Sequence, residues 1–451
     1  MASKVKKGIL YYIAWVLFIL VGIFCIFACV LLFNPGADAL GIGLRYVSDG
    51  KSYTINQVDI NGNKKFIKDI SVNQFNINGG FTDVELIKSN DYEQITIVVN
   101  KKITGFATTD KINYITNVTF ENGSLNIDVT EPQLWLGLST NATIKIVCPL
   151  ALSFSNYTFN ITTSTGSVSI NANGYYKVNP KSLNITTEKG SVTIAESINI
   201  LGNVNINTQT SELNILGNVL SNLSIKTQSS KIHIKNLTGN FNVSGNEVKI
   251  KADKILGNVE FAGTKGYITI DELGNISNTT NGNFTAEIDK TQIVNIIIKK
   301  MAGNLIIPTG NNSNITVDEI YGSALIVTTS GNVSLGNAHS SIDIQTNNGS
   351  VNATQTSKSK TSIKTNNGKI TANFAQIGTT DLVTTSDITV SLKENLSAVL
   401  NYVSTKGVFV NWETSSLANT GTINTPHYQE SNAATVNLNA GGKININNLF
   451  N

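Results

Sequence analysis

Chemistry on a protein needs acids, bases, nucleophiles or metal ligands at workable spacing, and this chain offers few of them. Its histidines are His233, His339 and His427, widely separated along 451 residues. With no H-E-x-x-H, no C-x-x-C and no His/Cys cluster, they make no metal set. His233 alternates with Ile232 and Ile234, which is the position of an exposed strand residue. The pairs Asp271-Glu272 and Asp318-Glu319 are the acids to consider for glycoside hydrolysis, which needs two carboxylates flanking one bond. Neighbours on a strand point to opposite faces, so neither pair forms a facing dyad. Each also stands before a glycine-containing turn, where solvated carboxylates are ordinary. A lyase would add a basic residue beside acidic metal ligands, yet Arg45 is the sole arginine. There is no G-x-S-x-G elbow and no phosphate-binding glycine loop. No catalytic, cofactor-binding or metal-binding residue is assigned, and no cofactor is expected.

The composition points away from helices. Charged residues are 14% of the chain, against roughly 25% in ordinary globular domains. Asn, Ser, Thr and Gly take up the difference and suit strands and turns. Net charge is +3 with scattered lysines, so no basic face for nucleic acid is expected. Cys25 and Cys29 lie in an apolar N-terminal run, which leaves Cys148 alone in the strand-like stretch Thr143–Cys148 as a buried, inert thiol. Asn-x-Ser/Thr triplets recur, among them Asn117, Asn141, Asn160, Asn184, Asn236, Asn242, Asn283 and Asn332. In so Asn-rich a chain they arise by chance, and repeated Asn at turns could form ladders between layers.

Residues 8–33 carry no charge and follow Lys4, Lys6 and Lys7, with Tyr11, Tyr12 and Trp15 near the start. That pattern predicts a retained transmembrane helix with a cytoplasmic N-terminus. It is too long for a signal-peptide core, although Ala37-Asp38-Ala39 resembles a cleavage site. A lipobox at Cys29 fits poorly beside Phe27. The expected layout is a basic N-terminus at 1–7, the transmembrane helix at 8–33, a linker at 34–50, a strand-rich opening region at 51–139, and a β-solenoid repeat domain at 140–451.

Beyond residue 51 apolar and polar residues alternate, the period of a half-buried strand. One phrase recurs as Thr165-Gly166-Ser167-Val168, Lys189-Gly190-Ser191-Val192, Asn348-Gly349-Ser350-Val351 and Asn367-Gly368-Lys369-Ile370. A sister phrase, Gly-Asn-apolar, begins at Gly202, Gly217, Gly239, Gly257, Gly282 and Gly303, about 20 residues apart, the scale of a solenoid coil. Glycine would let the chain turn. Val192 and Ile194, Val204 and Ile206, Ile232 and Ile234, Val259 and Phe261, and Ile268 and Ile270 would point inward. Thr193, Asn205, His233 and Thr269 would face water. An all-β, β-helix-like ectodomain fits this best, with stacked β-sandwiches as the alternative.

Residues Ile144–Pro149 leading into Ile161–Ile170, with the tail Ala434–Ile446, resemble the bacterial "putative adhesin" family of β-strand repeats. This chain has Asn, Ser or Lys where that family's rungs usually carry Asp after the glycine. The resemblance implies an extracytoplasmic, often membrane-tethered solenoid over residues 140–450 and brings no catalytic residues. The expected function is a membrane-anchored, non-catalytic, adhesin-like surface protein; the alternatives are a self-assembling envelope scaffold, with an uncapped strand at Asn445–Asn451, or a polysaccharide-active β-helix enzyme. Expected partners are the membrane, envelope polysaccharide or surface proteins, and further copies of the chain.

Overall fold

A computed structural model describes residues 2–33, 44–60, 62–89, 93–108, 114–131, 134–149, 156–172, 180–277, 282–288, 293–308, 312–413 and 417–448. The first ten residues of the expected linker, the cleavage-like triplet among them, lie outside these. The linker's remaining residues, 44–50, already belong to the strand Leu44–Ile55.

Residues Ala2–Phe33 form one α-helix. Its described side chains from Tyr11 to Ile26 are exposed on every side, Tyr12, Phe18 and Phe24 most of all. Among the described residues no helix is long and apolar enough to cross a membrane. A crossing takes about 20 apolar residues, more than the stretch 11–26 supplies. The spanning helix expected at 8–33 is therefore not borne out by the described residues.

The strands stack as a parallel solenoid. In the middle, Leu223–Leu237, Phe241–Ile255 and Val259–Leu273 lie one above another in step, Ile232 on Ile250 on Ile268. Successive coils here are 18 residues apart, slightly under the period expected from the glycine spacing. Every second side chain enters the core, where β-branched residues suit a pleated surface. Columns of like residues result: Ile77, Ile161, Ile185, Ile206 and Ile225 on one face, Val168, Val192, Leu213, Ile232 and Ile250 on the other. All five inward pairs expected from the alternation are buried, and Phe75 stacks on Phe159 at 5.0 Å between ring centres.

The corner between the two strands of a coil explains the repeated phrase. A buried threonine on the first strand bonds the turn: Thr187 Oγ1 accepts from Gly190 N at 2.9 Å, and Thr365 Oγ1 from Gly368 N at 3.0 Å. The same hydroxyls reach the coil before: Thr365 donates to Gly349 O at 3.1 Å and Thr384 to Gly368 O at 2.7 Å. Glycine stacks on glycine at this corner. A Cβ on Gly190, Gly349 or Gly368 would come within 3.0 Å of the carbonyl of the glycine in the coil before. Of the glycines in these two phrases only Gly282 has positive φ. They are there because neighbouring backbones approach closely, a correction to the expectation that they serve turning.

Chain order and stacking order differ at both ends. The strands Gln74–Gly80 and Asp83–Ser89 form a coil, and Thr158–Thr163 with Val168–Ala172 stack on one side of it. On its other side lie Ser124–Thr130 and Leu134–Pro149, a foot coil made between the two in sequence. The opening region thus supplies layers of the same stack, Phe75 aligned with Leu125 and Phe159. At the far end, Ala434–Ala440 and Ile444–Asn448 slide between the coil at 380–392 and the head coil formed by Ala398–Ser404 and Val408–Val410.

Antiparallel strands cover these ends. Ile115–Glu121 lies on the foot strand 124–130, Thr96–Thr108 on 134–149, and Thr420–Asn424 on the head strand 398–404. The strand 444–448 expected to end the stack uncapped is instead paired on both sides. At the foot, the turn Gly80-Phe81-Thr82 wraps Glu131. Its Oε1 accepts from Phe81 N at 2.6 Å and from Thr82 N and Oγ1 at 3.1 Å each. Burial pushes the Glu131 carboxyl above its ordinary range despite those bonds. Thr82 Oγ1 also meets Tyr114 OH at 3.1 Å, and burial pushes that phenol up to about 12.

Candidate functional site

The parallel register decides which side chains meet on the outside, because residues equivalent in successive coils lie about 4.8 Å apart. Along one edge it stacks Lys254, Glu272, Lys300 and Glu319 in that order. Lys254 pairs with Glu272 at 2.7 Å, and Lys300 with Glu319 at 3.8 Å. Beside them Lys299 pairs with Asp271 at 2.8 Å, and that bond raises the lysine above its usual value. The two acid pairs singled out in the sequence are therefore brought to one edge, with a lysine between each carboxylate and the next. A hydrolase needs two carboxylates on one open bond, and here Asp271, Glu272 and Glu319 each pair with an ammonium.

His339 stands in the one arrangement of nucleophile, base and acid among the described residues. Its Nδ1 lies 2.9 Å from Thr356 Oγ1 and its Nε2 3.2 Å from Glu319 Oε1. The Tyr321 hydroxyl, with His339 and Lys300 behind it, holds Glu319 below the usual carboxylate range. No sequence signal joined these residues, which come from three coils. Triad chemistry requires a free hydroxyl proton passing to the imidazole and donors awaiting an oxyanion. The Thr356 hydroxyl instead donates to Ala338 O at 2.9 Å, and the imidazole is stacked on Tyr321 at 4.4 Å between ring centres. The geometry is that of a polar clasp between coils.

His233 lies on the outward face of its strand, as its alternation predicts, but is half-buried where exposure was expected, with Nε2 3.7 Å from Asp253 Oδ1. His427 does not join either group. Cys148 is fully buried, and burial pushes its thiol far up, so it is inert to ordinary oxidants.

Asparagines hold the outer surface. On one face Asn126, Asn76, Asn160, Asn184 and Asn205 form an amide ladder, each Nδ2 donating to the Oδ1 below at 2.7–2.8 Å. At the turn, the Oδ1 atoms of Asn222, Asn240, Asn258 and Asn283 each accept from the backbone N–H of the Asn in the next coil, at 2.7–3.0 Å. That bond accounts for Asn240, Asn258, Asn283 and Asn304 of the Gly-Asn phrase, whereas Asn203 Oδ1 accepts from Ser221 Oγ and Asn218 Nδ2 donates to Asn199 Oδ1. Several glycosylation-like triplets, at Asn160, Asn184, Asn283 and Asn332, are explained by these ladders, in which Asn332 Oδ1 accepts from Ser350 N.

The chain is similar to three solved structures that cover most of it at low identity. These are a putative cell adhesion protein from Clostridium sporogenes (10% identity, 89% of this chain and 100% of that one, TM-score 0.15), a putative adhesin from Bacteroides fragilis (11%, 88% and 97%, TM-score 0.17) and a putative adhesin from Parabacteroides merdae (12%, 72% and 96%, TM-score 0.20). Superposition at such scores is too poor to bear on function. No curated protein matches the chain. A family model described as Toastrack DUF4097 matches residues 52–278 and 274–441, in keeping with the resemblance carried by the Gly-punctuated rungs. The chain belongs to the Toastrack DUF4097 family.

Proposed function

We propose that this protein is a single-pass, membrane-anchored surface protein whose rigid, non-catalytic β-solenoid stands outside the cell and makes adhesive contact through its polar outer faces. The observation that carries the reading is the junction of two unlike parts. A helix with apolar side chains exposed all round is joined to a stack whose apolar residues are turned inward and whose outside is Asn, Ser and Thr. A helix apolar on every side has no stable place in water and finds one in lipid. Residues 8–33 are uncharged, and Lys4, Lys6 and Lys7 before them favour a cytoplasmic N-terminus.

Fractionation tests the anchor. The full chain should sediment with membranes through carbonate washing and be released by detergent, and external protease should remove everything beyond the helix. Recovery in the soluble fraction would reject the anchor. Cells lacking residues 51–451 should lose attachment to envelope material, and unchanged attachment would reject the adhesive role.

A further inference from the structure

Elsewhere on the solenoid, charges on neighbouring coils alternate: Lys254 with Glu272, Lys299 with Asp271, Lys265 with Glu247 at 3.3 Å, Lys145 with Glu85 at 3.0 Å. On the described central coils, 204–273, one patch breaks the pattern. The register sets Lys231 directly on Lys249, cation over cation on adjacent coils, and His233 directly on Lys251. Like charges directly opposite destabilise a sheet. Among the described residues none of the three lysines has an acidic partner within 4.0 Å. Of the acids nearby, Asp253 lies by His233, Glu247 pairs with Lys265, and Glu212 stands directly under Lys231 in register, which leaves Lys249 and Lys251 as the lysines with no acid opposite them.

The next coil places Tyr267 on Lys249 and Thr269 on Lys251. Tyr267 is 46% exposed, a large ring turned outward where its neighbours in the column are polar. Together these side chains line a shallow groove of about 390 Å³ that also takes in Asn214 and Glu212, the latter on the coil below Lys231. Lys231 and Lys249, about 4.8 Å apart across the coils, and Lys249 and Lys251, about 6.6 Å apart along one strand, make a three-point lattice of charges, without the fork an arginine would impose.

We propose that this groove binds a carboxylated polysaccharide, a chain of uronic-acid-type sugars, with carboxylates at Lys231, Lys249 and Lys251 and one sugar ring lying on Tyr267. The lysine lattice matches repeated negative charge, and the aromatic ring offers an apolar platform that a sugar face covers and a bare phosphodiester chain does not. The assignment rests on the adhesive reading above and names its ligand class.

The test uses the full chain in detergent micelles, titrated with oligogalacturonate, with neutral oligogalactan of the same length, and with poly(glycerol phosphate). The expected result is binding of oligogalacturonate, none of the neutral oligomer, and at least tenfold weakening by K249A/K251A or by 0.5 M salt. Tyr267→Ala should weaken oligogalacturonate about fivefold and leave phosphate-polymer binding unchanged. All these side chains are on the surface, so thermal unfolding of each variant should match the parent; Lys249→Glu is a second variant with a larger expected loss. Equal binding by parent and double variant, equal binding of the neutral oligomer, or tighter binding of poly(glycerol phosphate) would overturn the proposal. If the double variant still attaches to envelope material as well as the parent, this groove is rejected while the adhesive role stands.

Discussion

At Gly349 the carbonyl of Gly331 fills the space a side chain would need, and the carbonyl of Gly349 does the same to Gly368. The obstacle is backbone on both sides and cannot swing away. Gly349→Ala should destabilise the chain by about 3 kcal/mol, an overpacking cost. Gly50→Ala, with open space around its Cβ position, should change stability by less than about 0.5 kcal/mol. Denaturant titration of both variants distinguishes close approach from turning freedom, because Gly349 has no positive φ. The glycine spacing was plain in the sequence, but its cause was not. A recurring Gly looks the same whether it bends the chain or clears space for its neighbour.

Among the elements, the foot coil depends on a turn folded around one carboxylate. Glu131 lies 49 residues from Thr82, so nothing local in the sequence links them. Its folded pKa is raised by burial, so the charged form is disfavoured in the native state. Its contribution to stability is therefore full below the ordinary value of 4.5 and is lost as pH rises through the raised folded value. Glu131→Gln keeps an acceptor for the same three donors and removes the titration. The variant should gain on the parent as pH rises above 4.5, and thermal melts between pH 4 and 8 will read the difference. Glu131→Ala strands those donors and should cost about 3 kcal/mol below pH 4.5, and less as pH rises and the parent loses Glu131's contribution. A variant pair that tracks the parent at every pH would show that the turn does not rely on this side chain.

Over the whole molecule, stability in a stack passes from each layer to the next. The layer at 434–448 holds two coils that precede it in sequence, at 380–392 and 398–410. A chain ending at residue 433 should leave the coil at 380–392 with one face uncovered, its other face still on 361–374, and strip the head coil of its parallel partner. Amide hydrogen exchange over 380–392 should then speed up at least tenfold, while the coils at 223–273 keep their protection. Uniform acceleration along the chain would instead mean that the solenoid unfolds as one unit. With covering strands on the foot and on the head strand 398–404, end-to-end growth by strand addition loses most of its template.

The residue sequence determined the strands and their inward faces, since alternation of period two already assigns Ile232, Ile234 and Ile268 to a core and His233 to the outside. It also determined the stacked repeat, because equal spacing of glycine and asparagine leaves few other ways to shelter those faces. Only the tertiary structure decided which layers touch. The out-of-order foot and the layer slipped in at 434–448 are pairings at long separation, set by which coil offers a free edge and not by any local preference. The same pairing decided the chemistry: Asp271, Glu272 and Glu319 meet lysines, and Lys231 meets Lys249. Register across coils, which no single segment encodes, fixes what each charge faces.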